Sequence, residues 1–120
     1  MNRVLIADSD RDMRRLIASW LRKRGLRVEE AVDSAQLDDL LRRAAGGDPP
    51  RAIVVDISML GPGSADALRR LSRVRLVITT AFGSGQAPAL NDLDATAVLE
   101  KPFDLRRLAS IVASEIGAHG

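Results

Sequence analysis

A few residues of this chain have the types and spacing to do chemistry. Asp8 and Asp10 follow the apolar run Val4-Leu5-Ile6-Ala7. Asp56 ends the run Ala52-Ile53-Val54-Val55, Thr80 ends Leu76-Val77-Ile78-Thr79, and Lys101 follows Ala97-Val98-Leu99-Glu100. Carboxylates held close together repel one another and attract a hard divalent cation, and Mg²⁺ is bound by one or two carboxylates plus waters. A carboxylate can also attack phosphorus and become an aspartyl phosphate. A hydroxyl and an ammonium can hold the oxygens of a transferred group, in a reaction governed by positioning and charge neutralisation. Singly, each residue has a plainer reading: Asp8 as a helix cap, Asp56 as the start of a turn, Thr80 as a strand former, Lys101 as a surface cation. Their joint placement at four apparent strand ends is hard to obtain from packing alone.

The elements that would position them follow from apolar periodicity. An unbroken apolar run rich in β-branched residues, such as 52–55, reads as a strand buried on both faces, the pattern of a parallel sheet covered by helices. Strands are expected at Arg3–Ala7, Leu26–Ala31, Ala52–Asp56, Arg75–Thr80 and Ala97–Glu100. The second has the alternation of a sheet edge. Between them lie helical faces. Met13, Leu16, Ile17, Trp20 and Leu21 mark the first helix, with arginines and Lys23 opposite, and Gly25 stops it. Leu37, Leu40, Leu41 and Ala44 mark a second, capped by Ser34. Ala65, Leu68 and Leu71 mark a third after a turn at Gly61-Pro62-Gly63-Ser64. Phe82 to Asn91 leaves room only for a short or irregular fourth, begun at Pro88. Leu105, Leu108, Val112 and Ile116 mark the last, capped by Asp104.

Strands alternating with helices imply parallel pairing and right-handed crossovers. The expected fold is α/β: one flavodoxin-like (βα)5 domain over 1–120, a doubly wound three-layer sandwich whose five-stranded parallel sheet has the order 2-1-3-4-5. In such sheets ligands sit beyond the carboxyl ends of the strands, so Asp8, Asp56, Thr80 and Lys101 are expected on one edge.

Composition removes other classes. Cysteine is absent and the one histidine is His119, which excludes disulfides and thiolate metal sites and leaves no basis for a histidine-centred one. No segment has the apolar length to span a membrane, and the start of the chain is not a signal peptide, so a cytoplasmic location is expected. Arginine outnumbers lysine 16 to 2, but the arginines are spread over successive helices and read as solvated faces. Trp20, Phe82 and Phe103 are the whole aromatic set, too few to stack bases; no nucleic-acid contact is expected through this domain.

With Val4-Leu5-Ile6-Ala7-Asp8-Ser9-Asp10, Val55-Asp56-Ile57-Ser58-Met59, Thr80-Ala81 and Lys101-Pro102-Phe103 in this order, the whole chain resembles the CheY-like receiver domain of two-component response regulators. The resemblance implies that Asp56 accepts a phosphoryl group from a histidine kinase or histidine phosphotransfer protein. It implies that Thr80 binds a phosphoryl oxygen and Lys101 pairs with the charged group. Asp8, Asp56 and the backbone carbonyl of Ser58 would hold Mg²⁺, with Ser9 or Asp10 as a further ligand. The domain would not be an enzyme beyond its own phosphorylation and dephosphorylation. It would signal by protein contact, with a homodimer among the possible assemblies. The Lys101–Pro102 peptide, often cis in the family, is expected to be so here. The arginine-rich face of the first helix, with Arg14 and Arg15, lies where the family meets its phosphodonor.

The chain departs from the family at four positions. A second acid usually follows the first strand as a direct metal ligand; here it is Ser9. A full charge near a cation is worth about 4 kcal/mol gross at ~4 Å and an effective dielectric of ~20, so weaker Mg²⁺ binding is expected. Leu60 replaces a usual proline, Ser64 a usual glycine, and Val98 a usual aromatic switch residue. These departures favour an alternative: a degenerate receiver that serves as a docking or dimerisation module without phosphorylation. A third reading takes Asp8-Ser9-Asp10 as the nucleophile motif of a haloacid-dehalogenase-type phosphatase, but the chain is short for that class.

Overall fold

A computed structural model describes residues 3–71, 73–81 and 95–117. The order of elements is β1 (Arg3–Ala7), α1 (Arg11–Arg22), β2 (Arg27–Ala31), α2 (Ser34–Ala45), β3 (Ala52–Asp56), a 3-10 turn (Ile57–Met59), α3 (Pro62–Arg70), β4 (Arg75–Thr80), β5 (Ala97–Glu100) and α4 (Leu105–Gly117). The five strands form one parallel sheet in the order β2-β1-β3-β4-β5, as expected. The expected helix between β4 and β5 lies outside the described residues.

The sheet divides two apolar layers. Alternate residues of the inner strands (Val4, Ile6, Val54, Val77) pack with Ile17, Ala18 and Leu21 of α1 and Leu108 and Val112 of α4. The other set (Leu5, Ile53, Val55, Ile78) packs with Leu37 and Leu41 of α2 and Leu68 of α3. Every residue of β3 is buried, which is why its sequence is apolar without alternation, whereas β2 at the edge alternates. Among the described residues no helix is long and apolar enough to cross a membrane.

Several expectations are corrected. Leu16, read as core, is 46% exposed, and the buried stripe of α1 is Arg14, Ile17, Ala18 and Leu21. The stripe keeps helical spacing, but it contains an arginine that apolar periodicity alone places outside. The cap of α2 is Asp33, not Ser34: Asp33 accepts the Gln36 N–H, and the Ser34 hydroxyl instead donates to the Met59 carbonyl at 3.2 Å. The stretch read as a turn before the third helix is already its first turn, since Pro62 is the first helical residue; its fixed φ and missing N–H suit that position. Gly25 has φ +84°, the left-handed conformation that ends α1, and Asp104 accepts the Arg106 N–H at the start of α4.

Candidate functional site

Three of the expected residues meet directly. Asp8 follows β1, Asp56 ends β3 and Lys101 follows β5, and the parallel sheet brings all three to its carboxyl edge. The Lys101 Nζ lies 3.0 Å from Asp8 Oδ2 and 3.6 Å from Asp56 Oδ2. Both carboxylates are buried, at 2% exposure for Asp8 and 7% for Asp56. Two carboxylates so placed would repel strongly without the shared ammonium. Burial opposes the charge on Lys101, but the hydrogen bond and charge of Asp8, with the charge of Asp56, outweigh it and raise the Lys101 pKa above its ordinary value. Lys101 therefore stays an ammonium at neutral pH. The Lys101–Pro102 peptide is cis, as expected.

Thr80 stands on the neighbouring strand one residue beyond the Asp56–Thr79 pair, and it is buried. Its hydroxyl donates to the Ala81 carbonyl at 3.3 Å, and its carbonyl accepts the Lys101 N–H at 2.8 Å. It thus shares the edge with the aspartates. Ser58, read only as a carbonyl donor, brings its hydroxyl as well: Oγ donates to Asp56 Oδ2 at 2.6 Å. The short span from Asp56 through the 3-10 turn returns the Ser58 side chain to the carboxylate.

The turn after β1 is tightly organised. Asp8 Oδ1 accepts the Asp10 N–H at 2.9 Å, and Asp10 Oδ1 accepts the N–H groups of Asp12 and Met13, capping α1. Asp10, not Asp8, is therefore the cap. Ser9 is exposed. The residue that the sequence reading misplaced is Arg14. Its side chain is buried, and Nη1 donates to the Asp8 carbonyl at 3.0 Å while Nε meets Glu30 Oε1 at 3.1 Å. The spacing of Arg14 with Ala18 and Leu21 was the available signal. Glu30 on β2, which makes the burial tolerable, is visible only in three dimensions.

Two carboxylates converging on one edge, with the Ser58 backbone beside them, are oxygen donors of the kind that suits Mg²⁺ completed by waters. Among the described residues no third acid or histidine joins them as a metal cluster.

Known proteins are similar to this chain. The sequence pattern of the response regulator receiver domain matches residues 4–113. The chain is 33% identical over 115 residues to the response regulator receiver protein CpdR of Brucella abortus, with 92% of each chain covered. It is 32% identical over 114 residues to the transcriptional regulatory protein CpxR of Escherichia coli, covering 92% of this chain but only 47% of CpxR, so it spans about half the length of that relative. A solved response regulator receiver protein from Burkholderia phymatum has a TM-score of 0.75 at 25% identity, covering 98% of this chain and 96% of that one. A carboxyl edge holding two aspartates and a lysine, in a sheet of this order and with this sequence kinship, makes the chain a member of the response regulator receiver domain family, the signalling domain of two-component systems.

Proposed function

We propose that Asp56 is the phosphoacceptor of this receiver, taking a phosphoryl group from the phosphohistidine of a histidine kinase or histidine phosphotransfer protein. The observation that carries this reading is the placement of Asp56, buried at the end of the central strand with Lys101 Nζ 3.6 Å from its carboxylate and Asp8 Oδ2 3.0 Å from the same ammonium. A carboxylate oxygen of Asp56 attacks phosphorus; the P–N bond of the donor breaks, and the imidazole leaves with the bonding pair. Lys101, held protonated by the two aspartates, moves its charge from the carboxylate to a phosphoryl oxygen. The Thr80 hydroxyl turns from the Ala81 carbonyl to another. Asp8, Asp56 and the Ser58 carbonyl would hold Mg²⁺, which when bound supplies neutralising charge for the incoming phosphoryl oxygens. The Ser58 hydroxyl, 2.6 Å from Asp56 Oδ2, must release that oxygen wherever it is the attacking one.

Nothing supports the phosphatase reading based on Asp8: the matching family and relatives are response regulator receivers. Output through protein contact, without an aromatic switch at Val98, belongs to the same proposal. Incubation with acetyl phosphate and Mg²⁺, followed by intact mass measurement, tests it. One phosphoryl group is expected on the parent and none on Asp56→Asn. A parent mass unchanged at high Mg²⁺ supports the docking or dimerisation module instead.

A further inference from the structure

Among the described residues Arg14 is the one buried arginine, and its contacts point at the site rather than at solvent. Its guanidinium uses two edges. Nε meets Glu30 of β2 at 3.1 Å, and Nη1 reaches the main-chain carbonyl of Asp8 at 3.0 Å. Glu30 is itself braced from the other side by Arg22 Nη2 at 3.4 Å. A planar guanidinium fixed along one edge by a carboxylate can aim its other donors without further loss of rotamer freedom. Here the target is a backbone oxygen. Such a contact fixes where the chain runs; it does not neutralise the Asp8 carboxylate, which Lys101 already meets.

We propose that Arg14, oriented by Glu30, is a positioning residue that sets the Asp8–Ser9–Asp10 turn for Mg²⁺ and for the Asp8–Lys101–Asp56 contact. The need for it follows from Ser9. With Ser9 next to Asp8 in place of an acid, and Asp10 Oδ1 engaged as the cap of α1, the cation draws on fewer charged ligands, and affinity depends more on the turn being in place beforehand. Arg14 holds the start of the turn, the Asp10 N–H to Asp8 Oδ1 bond holds its middle, and the Asp10 cap joins its end to α1.

This inference rests on the reading of the aspartates as a Mg²⁺-assisted phosphoacceptor site, and the test separates the two. Mg²⁺ is titrated into the parent, Arg14→Met, Arg14→Lys and Glu30→Gln, following the backbone amide signals of residues 8–10 by NMR. Acetyl phosphate labelling at saturating Mg²⁺ is measured alongside. Arg14→Met is expected to raise the Mg²⁺ Kd about tenfold, with labelling at saturation within about twofold of the parent. Arg14→Lys should not restore the parent Kd, because one ammonium cannot span Glu30 and the Asp8 carbonyl together. Glu30→Gln keeps Arg14 but loosens its aim, and should raise Kd about threefold; it also answers for Arg14→Met if that variant fails to fold. A folded Arg14→Met or Glu30→Gln with the parent Kd overturns the role of Arg14 and leaves the phosphoacceptor reading intact. A parent that binds Mg²⁺ but takes no phosphoryl group overturns that reading alone, and a parent that binds no Mg²⁺ overturns both.

Discussion

The contact that defines this molecule joins residues 93 apart in sequence, Asp8 and Lys101, with Asp56 as the third member. At neutral pH it places one ammonium between two buried carboxylates, which is more tolerable than either charge alone. Because Lys101 has a raised pKa in the folded protein, its contribution to stability is fully present below its ordinary value of 10.5 and is lost as pH rises through the higher folded value. Chemical denaturation of the parent and of Lys101→Met should therefore give a stability gap that stays constant between about pH 7 and 9 and narrows above about 10.5. A gap that widens in that alkaline range would contradict the ion pairing. The Thr79 hydroxyl marks a different residue-scale feature: it is buried on the strand beside Asp56 and has no hydrogen-bond partner among the described residues, an arrangement that costs stability.

Among the elements, the segment after β3 shows how this chain adapts to its departures from the family. Without the usual proline and glycine, the loop is closed by side chains. The Ser64 hydroxyl accepts the Gly61 N–H at 2.7 Å and donates to the Gly61 carbonyl at 3.1 Å, and it is buried. The Ser34 hydroxyl ties the start of α2 to the Met59 carbonyl on the same loop. Ser64→Gly, although it restores the commoner family residue, should lose about 1–2 kcal/mol, because it leaves the Gly61 N–H without its partner and adds backbone freedom in the first turn of α3. Urea titration with an unchanged m-value checks this; a neutral or stabilising effect would show that the loop does not depend on the hydroxyl. The arginine-rich helix α1 also divides into two parts once placed. Arg14 is buried, whereas Arg15 remains exposed.

For the whole molecule, the site is a property of the assembled sheet, since its three charged members come from β1, β3 and β5, at the start, middle and end of the chain. Mg²⁺ should accordingly stabilise the entire fold against unfolding. At a concentration tenfold above Kd the expected gain is about 1.4 kcal/mol, seen as a shift of the whole melting transition. Asp8→Asn should remove most of that shift, and an equal shift in parent and variant would place the cation elsewhere. Much of this architecture was legible in the sequence. The bounds of β1, β3, β4 and β5 followed from apolar runs ending in polar residues, because strands buried on both faces tolerate little else, and the sheet order followed from the flavodoxin-like fold that alternating strands and helices imply. Asp8, Asp56 and Lys101 were legible for the same reason: charge at the end of a buried strand has few structural uses. What the tertiary structure alone decided was which polar side chains turn inward. Arg14 is buried because Glu30 and the Asp8 carbonyl just after β1 lie within its reach; Asp33 rather than Ser34 caps α2 because Met59 takes the serine; and the Ser58 hydroxyl reaches Asp56 through the 3-10 turn. Those choices depend on partners distant in sequence or on the shape of a turn, and composition and periodicity carry no record of either.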